Sequence, residues 1–343
     1  MSRWFFPALA LSTAIPLIAL PLYGLSGASA PPPVVGVFLV LFVLSAYGHV
    51  TSTAWFASDP EYRPLLRAHR IRMLASLAVI PATMATLGIL DRSLSAWLYA
   101  GFLAWQAHHY GRQNFGILAF AAAHDGVGPL PKDVGLIVTL TSVAGAIGMI
   151  CMPSIYPVGL RDLPFALPAV AAVGRGVALS FFLVAAGVMA RLLWTQPGLR
   201  RGPTVLLFLG LSGAFFLPSL IGGAPLVAFF PYAMAHGAQY LIIMGVTARR
   251  SSAGWRGFSV FAAIAAVLGT VAVSVRGVGL VQAYTGVVIW HFLADARLWR
   301  LRDSTVRGIV RRRFDFVFGP ASAGRPSSIP SAPSNPGWEA PTS

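Results

Sequence analysis

The chain alternates between long apolar runs and short polar or basic connections along most of its length. A helix needs about 20 apolar residues to cross the roughly 30 Å hydrocarbon layer of a membrane. The pattern therefore predicts an all-α, polytopic membrane helix bundle of about ten transmembrane helices. The predicted spans are approximately 4–25, 34–57, 72–90, 94–123, 134–152, 174–194, 204–222, 224–247, 257–275 and 278–299.

The chain becomes polar from Ser304 onwards. We therefore predict a transmembrane domain over 1–303 and a cytoplasmic tail over 304–343, which is basic at first and then rich in Pro and Ser. The Pro/Ser/Ala part, Gly319–Ser343, buries too little apolar area to offset the entropy of ordering, so the tail is predicted to be largely disordered. The Pro-rich stretch 153–173 is predicted to be an external loop with a short re-entrant or interfacial piece.

Composition agrees with a membrane protein. Hydrophobic types make up 56% of the 343 residues and charged types only 10%, whereas soluble domains carry about 25% charged residues. The net charge of +15 comes from basic residues placed between apolar runs, which indicates membrane topology and gives no reason to expect a nucleic-acid partner. The single Cys151 excludes an intramolecular disulfide and a thiolate-cluster metal site.

The loop charges predict the orientation of the bundle. With a cytoplasmic N-terminus, most basic loop residues lie inside, as the positive-inside rule requires. The outer loops then hold only Arg92, Arg161, Arg175 and Arg276. An odd number of spans would break this alternation. We predict that both termini are cytoplasmic, in a bacterial-type inner membrane.

A polar segment interrupts the fourth apolar run. Residues 105–116 read WQAHHYGRQNFG. Desolvating polar groups inside a membrane is costly, so this cluster predicts a functional site. On a helix, His108 and Arg112 share one face, and His109 and Gln113 share another face about 100° away.

Five of the seven histidines fall within predicted spans. At a rise of about 1.5 Å per residue, His49, His108, His236 and His291 lie roughly 18 to 23 Å from the outer edge, in one layer of the cytoplasmic half. Three of them belong to polar stripes at helical spacing, which should face the bundle interior. These stripes are Ser45, His49, Ser52 and Thr53; Tyr232, His236, Gln239 and Tyr240; and Tyr284, His291 and Asp295.

The polar layer predicts a metal site with supporting groups. The predicted ligands are His49, His108, His109, His236 and His291, and catalytic or positioning roles are predicted for Arg112, Gln113, Gln239, Tyr240 and Asp295. Asp295 could bind the metal, orient a ligand, or form a salt bridge with a nearby arginine. Arg112 could bind an anionic substrate group or pair with Asp59 or Asp295, and pairing is favoured because an unpaired buried charge is costly.

Imidazoles and a carboxylate without a thiolate suit iron, zinc, copper or manganese. Three or four histidines around an open position would support oxygen activation at non-haem iron. Two histidines on different helices could instead hold a haem, and a metal-free acid–base pair is a third possibility.

The adjacent pair His108–His109 and the element His236–Gly237, placed on several membrane helices, resemble motifs of bacterial integral-membrane non-haem iron oxygenases. The similar groups are the Brp/Blh carotene-cleaving family and the histidine-box desaturases and hydroxylases. The desaturases also carry H-x₃-H and H-x₂-H-H boxes, which this sequence lacks. The resemblance implies an iron-oxygenase-like site and no particular substrate.

These observations predict an integral-membrane, metal-dependent oxidoreductase or oxygenase acting on a hydrophobic lipid or isoprenoid that arrives from the bilayer. Three alternatives are a proton-coupled transporter, a haem-binding or assembly protein, and a structural protein. Membrane lipids and a hydrophobic small molecule are the expected partners, and the redox partner is not identified. The charged stretch Ser58–Arg72 is expected to attract anionic lipid or to form a lid over the site.

Overall fold

The computed structural model describes residues 2–26, 40–155, 167–221, 224–273 and 278–319. Across these residues the chain is helical and contains no strand, so the predicted all-α class is confirmed. Several predictions fall outside the described residues: the start of the second span, most of the 153–173 loop, and residues 320–343 of the tail.

The described residues contain ten helices at the positions of the ten predicted segments. Their bounds are α1 Ser2–Ser26, α2 Val40–Ala57, α3 Arg63–Leu90, α4 Arg92–His124, α5 Lys132–Ile150, α6 Pro168–Thr195, α7 Pro203–Ile221, α8 Phe230–Arg249, α9 Gly254–Val273 and α10 Val278–Leu298. Two helices follow near the C-terminus, α11 Ser304–Arg313 and α12 Asp315–Phe318. Helix α7 consists of Pro203–Ala214 and a short second piece, Pro218–Ile221.

Seven of the described helices are long and apolar enough to cross a membrane, namely α1, α2, α3, α5, α6, α7 and α9. This is consistent with a multi-pass membrane protein. Helices α4, α8 and α10 have 33, 20 and 21 residues, but they carry most of the predicted polar site, which lowers their hydropathy. The count of ten spans and the side on which the termini lie remain predictions.

Proline positions move two helix starts relative to the sequence prediction. Helix α3 begins at Arg63 rather than near residue 72, because Pro64 occupies its first turn, where a proline ring presets the helical backbone. The charged connection is therefore reduced to Ser58–Tyr62, and residues 63–72 belong to α3. Pro231 has the same position in α8, which follows a short helical turn, Pro225–Ala228.

The start of α1 and the ends of α4 and α8 lie on the same side of the bundle as α11 and α12, and we call this side the basic face. There α11 and α12 contact the start of α1, where the rings of Phe5 and Phe314 lie 5.8 Å apart, and the end of α4, where Phe120 and Phe314 lie 5.1 Å apart. At the end of α8, Arg250 pairs with Asp315. Successive helices therefore run in opposite directions.

The first part of the predicted disordered tail is an ordered amphipathic helix. The Asp303 carboxylate caps α11 by accepting hydrogen bonds from the amides of Thr305 and Val306, at 2.8 and 3.2 Å. One apolar face of α11 packs into the core through Val306, Ile309 and Val310. Overall composition underestimated the order of this segment, because the Asp303 cap and the spacing of its apolar residues stabilise a helix that an average over the tail does not reveal.

A buried ion-pair network attaches α11 to the connection between α2 and α3. The Arg313 side chain is 1% exposed and donates to both Asp59 oxygens, at 3.0 and 2.8 Å, and to Glu61 at 2.7 Å. The neighbouring Arg312 donates to the other Glu61 oxygen at 2.6 Å. Although burial opposes ionisation of Glu61, the two guanidinium groups outweigh it and lower the pKa of this carboxyl group.

Close helix contact at a glycine brings α2 against α8. A Cβ atom at Gly237 would overlap the backbone carbonyl of Ser45 in α2. Residues Val43–Gly48 of α2 form a π-helical turn, a feature found frequently at functional sites. The glycine therefore sets the distance between the two helix backbones at this level.

We expect Arg313→Gln to lower the free energy of unfolding by about 3–5 kcal/mol, because it leaves the buried Asp59 carboxylate without its cation. Arg312→Gln is the matched control: its side chain is 66% exposed, and loss of such a pair costs under about 1 kcal/mol. Thermal unfolding of the purified variants measures the difference. Equal midpoints for the two variants would contradict a structural role for the buried pair.

Gly237→Ala should destabilise the protein by about 1–3 kcal/mol or more, since the added methyl group meets backbone that moves only with its helix. Gly245→Ala on the same helix is the control, because a Cβ there meets the rings of Phe258 and Phe261 at an ordinary 3.5 and 3.8 Å. A helical Gly-to-Ala change of that kind is neutral or stabilising by up to about 1 kcal/mol. The same melting experiment separates the two variants.

Candidate metal centre

Four imidazole rings from four helices meet inside the described part of the bundle: His49 of α2, His109 of α4, His236 of α8 and His291 of α10. Ring centroids lie 4.9 Å apart for His49–His236, 5.1 Å for His236–His109, 5.5 Å for His109–His291 and 5.2 Å for His291–His49. The four rings therefore surround one common point.

Burial of the cluster is nearly complete. His236 and His291 are 0% exposed and His49 is close to that, whereas the His109 side chain is 12% exposed. His109 thus presents the one accessible edge of the four rings. The Phe292 ring stacks on the face of His109 at 4.2 Å, and the Trp105 ring lies 6.3 Å from Phe292.

The tautomer of His49 follows from its hydrogen bond. Its Nδ1 contacts the backbone carbonyl oxygen of Ser45, which can only accept, so Nδ1 carries the proton. The lone pair is then on Nε2, which is buried and has no hydrogen-bond partner among the described residues. This is the state in which an imidazole binds a metal.

His291 is held by a chain of hydroxyl groups. Its Nδ1 lies 2.6 Å from Thr53 Oγ1, Thr53 Oγ1 lies 3.3 Å from the Tyr240 hydroxyl, and Tyr240 donates to Asp295 Oδ1 at 2.8 Å. With Asp295 as a carboxylate, every proton in the chain points the same way, from His291 Nδ1 to Thr53, from Thr53 to Tyr240, and from Tyr240 to Asp295. His291 Nε2 then carries a lone pair directed away from Thr53.

Stacking, rather than hydrogen bonding, positions His236. The Tyr110 ring lies parallel to it at 3.9 Å, and the Gln106 side chain donates to the Tyr110 hydroxyl at 2.6 Å. Both ring nitrogens of His236 are buried without a partner in the described structure, as are Nε2 of His109 and of His291. Buried polar atoms are nearly always hydrogen-bonded, so a concentration of unpartnered imidazole nitrogens needs an explanation.

The donor atoms form two overlapping groups that could bind a metal ion. Nitrogens of His49, His236 and His291 lie within 4.8 Å of one another, and so do the donor atoms of His109, His291 and Asp295. Asp295 Oδ2 is 3.6 Å from His291 Nε2 and 3.9 Å from His109 Nε2. His291 belongs to both groups and joins them into one set of four imidazoles and a carboxylate.

An amide network lies behind the rings and joins three helices. Gln113 of α4 donates to the backbone carbonyl of His236 at 3.0 Å and to the Gln239 side-chain oxygen at 2.9 Å. Gln239 in turn donates to Thr13 of α1 at 2.7 Å. Gln113 and Gln239 thus lie outside the ring of donors, and they fix α8 relative to α4 and α1.

Two predicted site residues lie elsewhere. His108 and Arg112 are on the exposed face of α4, away from the cluster to which the neighbouring His109 belongs. The favoured pairing of Arg112 with Asp59 or Asp295 is not formed: Asp59 pairs with Arg313, and Asp295 accepts from Tyr240. Adjacent residues on a helix point about 100° apart, so α4 turns one of its two histidines inward and the other outward.

Other contributors were not singled out from the sequence. Tyr110 lies within the polar segment of α4 and Thr53 within a predicted stripe, so a signal for each was present. Thr13 and Phe292 had none, since a lone threonine in α1 and a phenylalanine in an apolar run are unremarkable in sequence. Their contacts depend on how distant helices pack.

A separate hollow of about 480 Å³ lies at the basic-face end of α4. It is lined by Phe115, Ala119, Ala122, Ala123, Gly126, Gly128, Pro129 and Leu130. None of the clustered imidazoles contributes to it. Its lining side chains are apolar and include no catalytic or metal-binding group. The imidazole cluster therefore remains the candidate site.

Comparison of the chain with protein-family models, with curated proteins and with solved structures found no match.

Proposed function

We propose that this protein is an integral-membrane, metal-dependent oxidoreductase that uses non-haem iron to oxygenate a lipid or isoprenoid. The proposal rests on one observation: the rings of His49, His109, His236 and His291 surround a common point, and the buried Nε2 atom of each has no hydrogen-bond partner in the described structure. Leaving such atoms desolvated and unpaired is costly. A bound cation removes that cost, and imidazole–metal bonds of about 2.0–2.1 Å suit a cluster of this size.

The donor set favours a transition metal of intermediate softness. Neutral imidazoles with a nearby carboxylate suit iron, manganese, copper and zinc, whereas soft metals prefer thiolates. Cys151 packs near Gly174 of α6 and is in neither donor group. Iron held in this way supplies one-electron chemistry with dioxygen.

The ring arrangement favours a single ion or a close pair of ions over haem. A haem with two histidine ligands has one imidazole on each side of a flat macrocycle. Here each of the four rings has two others within 4.9 to 5.5 Å. A porphyrin placed between two of these rings would have to share that space with the other two.

Groups beside the cluster can hold and move a proton. The Asp295 carboxylate lies next to the donor nitrogens of His109 and His291 and accepts from the Tyr240 hydroxyl. Tyr240 in turn is within hydrogen-bond distance of Thr53. A purely structural metal site would not need this ionisable chain, so its presence supports an enzyme.

The surroundings of the cluster support a hydrophobic substrate. His109 is the one partly exposed ring of the cluster, and aromatic rings of α4 and α10 lie around it: Phe292 stacks on it, and Trp105 lies 6.3 Å from Phe292. A lipid or isoprenoid approaching from the acyl layer would meet the exposed edge of His109 first. We place the protein in a bacterial-type inner membrane, with ten spans and the basic face, which carries both termini, on the cytoplasmic side.

We expect the detergent-purified protein to contain about one or two equivalents of a transition metal and no Soret band. His109→Gln should weaken metal binding at least about tenfold, because a donor is lost. The adjacent His108→Gln is the matched control and should keep the wild-type metal content, since His108 faces outward. Elemental analysis decides: metal-free wild-type protein, or equal loss in both variants, would refute the site.

Thr53→Val removes the acceptor of the His291 Nδ1 proton while keeping the side-chain volume. We expect metal affinity to fall about 10- to 100-fold, the usual effect of losing a partner that orients a metal-binding imidazole. Thr53→Ser retains the hydroxyl and should restore affinity. Chelator competition measures both variants, and unchanged affinity in Thr53→Val would show that Thr53 does not orient His291.

A further inference from the structure

Helix α4 carries an exposed stripe that combines aromatic, imidazole and guanidinium groups. The exposed residues recur at helical spacing: Trp97, Gly101, Trp105, His108 and Arg112. Lipid-facing stripes are normally apolar, and charged groups inside a membrane almost always face the bundle or a partner. The polar end of this stripe, His108 and Arg112, is therefore expected to bind a ligand.

The position of Arg112 can be read from the neighbouring helix. A Cβ on the preceding Gly111 would overlap the Ser142 hydroxyl, and Ser142 lies in the middle of α5, Lys132–Ile150. Ten residues separate Ser142 from Lys132, which corresponds to about 15 Å of helix. The Arg112 backbone therefore lies near the middle of the apolar layer, well away from the basic face.

Arg112 forms no ion pair and no hydrogen bond with the described residues. Its guanidinium group lies over the ring of Phe115 at 5.8 Å. The carboxylates of Asp59 and Asp295 are engaged by Arg313 and Tyr240. The contact with Phe115, three residues further along α4, shows that the side chain extends toward the basic face.

We propose that Arg112, with His108 beside it, binds the anionic end of an amphipathic substrate, a carboxylate or a phosphate. This inference rests on the proposed function and adds the substrate class. Arg112 lies three residues, about 4.5 Å along the axis, beyond His109. An amphiphile anchored there with its head toward the basic face would run its hydrocarbon chain past the accessible edge of His109 and along Trp105.

The orientation has the polarity of lipids in the leaflet next to the basic face, with the head toward that face and the tail away from it, but the head lies deeper in the apolar layer than that of such a lipid. A planar guanidinium group suits either a carboxylate or a phosphate, which it binds through two hydrogen bonds. The distance from Arg112 to His109 limits reaction to carbons near the polar end. Arg112 is thus a specificity-determining residue that positions the substrate.

The test uses full-length protein in nanodiscs of zwitterionic lipid and the fluorescent fatty acid cis-parinaric acid, followed by energy transfer from tryptophan. We expect saturable binding of the acid, and binding of its methyl ester weaker by about tenfold or more. Arg112→Gln should weaken binding of the acid by a similar factor and leave the ester unchanged, while Arg112→Lys keeps part of the effect. Arg191→Gln, an exposed arginine on α6, is the matched control and should bind like the wild type.

Displacement of the probe distinguishes the two anions: hexadecyl phosphate competing better than palmitate assigns a phosphate, and the reverse order assigns a carboxylate. Equal binding of acid and ester by the wild type overturns the proposal without needing any variant. Unchanged acid binding in Arg112→Gln also overturns it. If that variant in addition no longer forms dimers that the wild type forms, the occupant of this face is a second copy of the chain. Because binding is measured without turnover, metal-free protein that still needs Arg112 would refute the oxygenase and leave the anion site standing.

Discussion

The carbonyl group of Ser45 sets both the packing of the helices and the orientation of a ligand. It accepts the Nδ1 proton of His49, and it lies where a Cβ of Gly237 would be. Because His236 precedes Gly237, the same contact that brings α8 against α2 places the rings of His49 and His236 4.9 Å apart. The packing of α2 on α8 therefore also brings His49 and His236 of the donor set together.

Around this contact, several polar side chains of the apolar bundle are hydrogen-bonded to one another. Amides are satisfied by amides and by a backbone carbonyl, as with Gln113 and Gln239, and hydroxyl groups connect His291 to Asp295. In the cluster itself, the Nε2 atoms of all four imidazoles are buried without a partner among the described residues. Several bare nitrogens gathered in one place favour a bound cation, since the alternative is an uncompensated desolvation cost.

Helical periodicity was sufficient to predict the all-helical class, the positions of ten helices, and a polar layer containing His49, His108, His236 and His291, of which the structure brings His49, His236 and His291 together with His109. It could not decide between His108 and His109, since that choice depends on which face of α4 meets α8 and α10. Thr13 and Phe292 were out of reach for a related reason: their contacts join residues far apart in the chain. The ordered helix α11 was missed because its cap and apolar face were outweighed by the polar composition of the tail.

Two arginines show how burial and pairing together indicate a role. Arg313 is fully buried, and its charge is balanced by Asp59 and Glu61. Its role is therefore structural: it attaches α11 to the connection between α2 and α3. Arg112 is exposed on a helix that runs through the apolar layer, and the carboxylates predicted for it are engaged elsewhere. A cation in such surroundings is stable when it has an anion or reaches water. Since Arg112 lies three residues beyond His109, an anion bound there would also be part of whatever reaches the imidazole cluster.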